Sequence, residues 1–176
     1  NLDEYVGIDK DNDQSYQYFM NDRLFNHVDI DKSKTHLPFA PEADEKYAKE
    51  YDKLLDDFGP RDIQILGIGP NGHLAFNEPD EKLNQRTSII KLSDETIKAN
   101  SRFFASEDDV PKYAVSMGMA DAFNANTLVV MASGKNKHEA VKRILEEDKI
   151  YPEFPASFLH LHPNVYLFVD EEAYNG

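Results

Sequence analysis

Three short apolar runs limit what this chain can fold into: Ile63-Gln64-Ile65-Leu66, Leu128-Val129-Val130-Met131-Ala132 and the segment from Val165 to Val169. Between them lie stretches with helical spacing. Ala43 to Phe58 places Tyr47, Ala48, Tyr51, Leu54, Leu55 and Phe58 at that period and closes on Gly59-Pro60. Lys137 to Glu147 gathers Ala140, Val141, Ile144 and Leu145 on one face. Apolar strands that alternate with helices argue for a parallel sheet covered on both faces. The predicted fold is α/β, a Rossmann-like three-layer α/β/α sandwich with a mostly parallel sheet. No internal repeat or second domain is read, so residues 1–176 are taken as a single α/β domain.

The remaining segments read less sharply. Asp13 to Phe25 is expected as a short helix capped by Asp13 or Ser15, and His27 to Pro41 as a loop. Asp94 to Phe104 and Tyr113 to Phe123 are expected as helices joined by an acidic linker. Asn1 to Tyr5 looks like the end of a strand and lacks an initiator methionine. The expectation is a fragment or processed chain whose N-terminal elements are missing.

Charge narrows the partners. The 33 acidic and 19 basic residues give a net charge of −14, which disfavours nucleic acid and anionic membrane surfaces. A small anion remains compatible, because it answers to local cations and helix N-termini. With no cysteine, disulfides and thiolate metal sites are excluded. No apolar run is long enough to span a bilayer, and a cytoplasmic protein with a small-molecule substrate is expected. Monomer and homo-oligomer both stay open.

Most of the chemistry crowds into Gly67-Ile68-Gly69-Pro70-Asn71-Gly72-His73-Leu74-Ala75-Phe76-Asn77-Glu78-Pro79, directly after the first apolar run. Glycines let a backbone turn tightly and approach a ligand closely. Ligands of open α/β sheets sit beyond the carboxyl ends of strands, where this loop would lie. A histidine there can move protons near neutrality. A plain Gly-rich turn, with His73 merely satisfying backbone groups, accounts for the spacing equally well.

Other candidates are weaker. Asp9-Lys10-Asp11-Asn12-Asp13 fails as a calcium loop, since Gln14 and Met20 stand where glycine and glutamate are needed. His160-Leu161-His162 lacks a third ligand and is read as structural. Ser133-Gly134-Lys135-Asn136-Lys137 opens a helix and offers free N–H groups beside lysines, which suits a phosphate. Arg102 is either an exposed helix arginine or an anion clamp. Asp3 and Glu78 are the carboxylates nearest glycine-bearing loops, and either could abstract a proton next to a carbonyl.

Together these segments closely resemble the glucosamine-6-phosphate deaminase family. Asn1-Leu2-Asp3-Glu4-Tyr5-Val6-Gly7 and Gly69 to Pro79 are similar to its signature stretches. Further matches are Arg86-Thr87, Ala99-Asn100-Ser101-Arg102-Phe103-Phe104, Val110 to Ala114, Ser133 to Lys137 and Leu159 to His162. The resemblance implies conversion of glucosamine 6-phosphate and water to fructose 6-phosphate and ammonium, in amino-sugar catabolism, without metal or organic cofactor. It implies His73 as the ring-opening proton shuttle with Glu78 setting its tautomer. Asp3 would be the base that moves the C2 proton to C1, and Arg102 and Lys137 would be the phosphate cations. These assignments place Asp3 and His73 in one cleft.

The chain departs from the family pattern in three respects. Asn71 stands where many members carry an aspartate, and an amide can only orient His73, Glu78 or the sugar. A Gly-Gly-Thr phosphate loop expected upstream is absent from these 176 residues, which alone are expected to be inactive or poorly folded. Ser88 and Ile90 occupy places that are basic in allosterically regulated relatives. Two rival readings stay open: a 6-phosphogluconolactonase-like enzyme, and a module that binds a phosphosugar without turnover.

Overall fold

The computed structural model describes the backbone of residues 1–176 and every side chain except those of Glu95 and Ala99. In chain order the elements are β1 (Asp3–Tyr5), α1 (Tyr16–Met20), α2 (Glu45–Phe58), β2 (Arg61–Gly67), β3 (Ser88–Lys91), α3 (Asp94–Asn100), β4 (Tyr113–Ser116), α4 (Met119–Phe123), β5 (Ala125–Ala132), α5 (His138–Glu146), β6 (Val165–Val169) and α6 (Glu171–Asn175). The chain divides into two compact units, residues 1–53 with 87–116 and residues 54–86 with 117–176.

The first unit is built on an antiparallel sheet in the order β1-β4-β3. Tyr113 to Phe123 is therefore not one helix. Tyr113–Ser116 is the central strand, pairing Asp3 with Ser116 on one side and Ser88 with Ser116 on the other. Ala114 and Val115 are fully buried there, and helix resumes only at Met119. Tertiary pairing and burial outweigh the local helical spacing. Ala40, Ala48 and Val115 form a core cluster against which Val6, Tyr47 and Ile89 pack.

Ser15, not Asp13, caps α1 by accepting from Tyr18 N at 2.9 Å. The helical run then loosens into a π turn at Asn21–Phe25. Glu4 is buried at 3% exposure, and its carboxylate accepts from the backbone N–H groups of Tyr5, Tyr16 and Gln17 at 2.9, 3.1 and 2.9 Å. Burial pushes its pKa up, against the pull of those donors. α3 ends at Asn100, shorter than expected, and a 3-10 turn over Ser101–Phe103 carries Arg102.

The second unit holds the parallel sheet that the apolar runs imply, in the order β2-β5-β6. Ile65 pairs with Val129, and Val129 with Tyr166. One face is core: Leu66, Leu128 and Val130 are completely buried, and α5 contributes Ala140, Val141 and Ile144. Leu145 was expected on that helix face but is 56% exposed.

The other sheet face departs from the expectation of cover on both sides. Ile63 and Ile65 are each 60% exposed, with Met131, Tyr166 and Phe168 at 55–56%. Side chains alternate across a strand, so these five share one apolar surface. No helix among the described residues covers it.

Candidate active site

β2 and β5 are parallel neighbours, so their carboxyl ends lie at the same edge of the sheet. The Gly69–Glu78 loop leaves β2 there, and the Ser133–Lys137 segment leaves β5 beside it. This is the edge at which open α/β sheets bind ligands.

The Gly69–Glu78 loop is seated from below by Phe154, which is 1% exposed. Gly72 has φ +86 and lies so close to this ring that a Cβ would fall 2.1 Å from it. Only glycine meets both demands. Ala156 N–H donates to Gly72 O at 2.9 Å, and the Arg143 guanidinium sits 3.9 Å from the Phe154 ring centroid. Further along, Ala75 holds φ +56, a conformation that costs a non-glycine residue about 1–2 kcal/mol. The buried Asn77 amide fixes that turn by donating to Leu74 O at 3.1 Å and Met117 O at 2.9 Å.

On this base Asn71, His73 and Glu78 come together. Asn71 Nδ2 donates to Glu78 Oε2 at 2.8 Å. Its Oδ1 accepts from His73 N at 3.1 Å and lies 2.8 Å from His73 Nδ1. Glu78 Oε2 is itself 3.3 Å from the same ring nitrogen. Two acceptors facing Nδ1 select the tautomer protonated there, which leaves the Nε2 lone pair for chemistry. Because Asn71 uses its amide to reach the carboxylate, its carbonyl must face His73, which fixes the amide's orientation as well. The His73 and Glu78 side chains are 31% and 29% exposed, open to a ligand yet partly desolvated. Gly69 makes room for the ring, since a Cβ there would stand 2.3 Å from His73 Nδ1 and Cε1.

The β5 segment corrects one expectation. The Gly134 N–H is not free for a phosphate: it donates to Asp170 Oδ1 and Oδ2 at 3.1 and 3.0 Å, and Ser133 Oγ donates at 2.5 Å. Asp170 also caps α6 through Ala173 N at 2.8 Å. These donors, Ser133 first, hold its carboxyl below the usual carboxylate range. Lys137 keeps its ammonium at the end of that turn, half-buried, and desolvation lowers its pKa.

Asp3 and Arg102 belong to the first unit. Asp3 lies on β1 and accepts from the Ser116 hydroxyl of β4, a partner that sequence reasoning missed because 113 positions separate the two. Arg102 is exposed, with its guanidinium 4.6 Å from the Phe103 ring centroid. Of the other candidates, His162 donates from Nε2 to Ala125 O at 2.8 Å and accepts at Nδ1 from Asn164 N at 3.2 Å. Both ring nitrogens are committed, which is a structural role.

A family model described as glucosamine-6-phosphate isomerases/6-phosphogluconolactonase matches residues 3–167, and the chain belongs to that family. A glucosamine-6-phosphate deaminase of Clostridium beijerinckii is 49% identical over 178 residues, covering 100% of this chain and 73% of that protein. The solved structure of a monomeric glucosamine-6-phosphate deaminase is similar at a TM-score of 0.92 and 44% identity, over 98% of this chain and 72% of that one. A 6-phosphogluconolactonase from Leishmania guyanensis shares the fold at a TM-score of 0.67 and 24% identity, over 99% and 72% of the two chains.

Proposed function

We propose that this chain is a glucosamine-6-phosphate deaminase of amino-sugar catabolism, converting glucosamine 6-phosphate and water to fructose 6-phosphate and ammonium in the cytoplasm. The observation that carries the reading is the Asn71–His73–Glu78 cluster, which bares Nε2 on a loop at the carboxyl edge of a parallel sheet. The 49% identity to a curated deaminase supports it.

In this reading the sugar ring opens first. His73 Nε2 accepts the proton of the anomeric hydroxyl and returns one to the ring oxygen as the C1–O5 bond breaks, exposing C1 as an aldehyde. Glu78, beside Nδ1–H, stabilises the imidazolium formed on the way. Asp3 then removes the C2 proton. The electron pair moves into a C1–C2 double bond and the aldehyde oxygen takes up a proton, giving an enolamine. Return of the proton to C1 leaves an imine at C2, which water hydrolyses to the ketone and ammonium. Arg102, as a planar fork, and Lys137, as a point charge, hold the phosphate through these steps.

The test, made on the full-length protein, is an ammonium-release assay with glucosamine 6-phosphate beside a hydrolysis assay with 6-phosphogluconolactone. Ammonium with matching fructose 6-phosphate supports the proposal. Lactone hydrolysis without ammonium would assign the sister activity, and phosphosugar binding with neither product would make this a binding module.

A further inference from the structure

Asp3 and Arg102 lie far apart in sequence, yet one side chain in the first unit touches the elements that carry both. Tyr5 is two residues after Asp3 on β1, so the two side chains leave the same side of the strand. Tyr5 is 5% exposed. Its ring stacks on Tyr16 with centroids 5.5 Å apart and meets Phe104 edge-on at 5.8 Å. Its hydroxyl accepts from Asn100 Nδ2 at 3.0 Å. Asn100 and Phe104 are the residues that bracket the Ser101–Phe103 turn, which the Phe104 N–H closes onto Ser101 O at 3.0 Å. Arg102 stands in the middle of that turn with an exposed side chain and the neighbouring Phe103 ring beneath it. The turn is thus held at both ends by one tyrosine. The contacts differ in kind: a directional hydrogen bond before Arg102, and apolar packing after it.

We propose that Tyr5 is a positioning residue for substrate binding, its hydroxyl holding Asn100 so that the following turn presents Arg102 to the phosphate. The inference rests on the reading of Arg102 as a phosphate ligand. A positioned arginine binds an anion better than a free one, because less side-chain and backbone freedom is lost on contact. Removing the hydroxyl should therefore weaken phosphosugar binding and leave the proton transfers alone. Burial also pushes the Tyr5 hydroxyl above its ordinary pKa, so it is protonated near neutral pH.

The experiment measures KM and kcat for glucosamine 6-phosphate in the intact protein and in Tyr5→Phe, Asn100→Ala, Arg102→Ala and the double variant Tyr5→Phe/Arg102→Ala. Phenylalanine keeps the ring packing, and Asn100→Ala breaks the same bond from the other side. Each of these two should raise KM about two- to tenfold, the worth of one hydrogen bond, with kcat within about twofold of the parent. The increase from Tyr5→Phe should vanish once Arg102 is absent. An unchanged KM in Tyr5→Phe and Asn100→Ala, or an increase that persists in full without Arg102, would overturn the inference while leaving the deaminase reading intact. An unchanged KM in Arg102→Ala itself would instead remove the phosphate assignment and this inference with it.

Discussion

Asn71 stands between His73 and Glu78, donating to the Glu78 carboxylate at 2.8 Å and holding its carbonyl oxygen 2.8 Å from His73 Nδ1. Asn71 thus has a definite task in the loop. It selects a tautomer without bringing a second negative charge next to Glu78. Asn71→Ala frees the imidazole to rotate and to exchange tautomers. The expected result is a fall in kcat on the order of tenfold, the worth of one orienting hydrogen bond, with KM little changed. Steady-state kinetics read this directly, and a variant with parental kcat would contradict it.

Gly69 offers a way to disturb the same imidazole without touching any polar group. A Cβ at this position collides with the His73 ring at 2.3 Å. The ring is the far end of a rotatable side chain and can swing aside. Gly69→Ala should therefore lower kcat by about tenfold or more while the melting temperature falls only a few degrees, about 1 kcal/mol of stability. Loss of folding in parallel with loss of activity would contradict this separation.

The clustering of three candidate residues was legible because they are close in sequence: Asn71, His73 and Glu78 span eight positions that one loop can fold together. The parallel strands were legible for the same local reason, as each apolar run is short and local in sequence. What escaped depends on distant partners. Tyr113–Ser116 has helical spacing in isolation and becomes a strand because β1 and β3 flank it. The Gly134 N–H reads as free in the Ser133–Lys137 segment, and it is Asp170, 36 positions away, that occupies it. Ile63 and Ile65 read as buried, and only the structure shows their sheet face open.

As the proposed phosphate cation, Lys137 should tie substrate affinity to pH. Desolvation lowers its pKa from 10.5, so as pH rises it loses its charge earlier than an ordinary lysine. The kcat/KM profile reports the free enzyme and should fall on the alkaline side through that lowered pKa. Lys137→Arg should move the fall to higher pH, because a guanidinium keeps its proton. Stability runs the other way. Between the folded and unfolded pKa values the unfolded chain binds more protons, so the fold gains stability as pH rises through that window. An identical alkaline limb in both proteins would exclude Lys137 as the titrating phosphate ligand.

The most direct measurement compares ammonium release from glucosamine 6-phosphate by the full-length parent protein and by its His73→Gln variant, with phosphosugar binding measured on both. The account predicts ammonium and fructose 6-phosphate in equal amounts from the parent. It predicts a kcat lower by roughly 10²–10⁴-fold in the variant, the usual worth of a positioned acid–base group, with binding retained. Turnover in His73→Gln equal to that of the parent would contradict the role given to this imidazole, and no ammonium from the parent would contradict the proposed reaction.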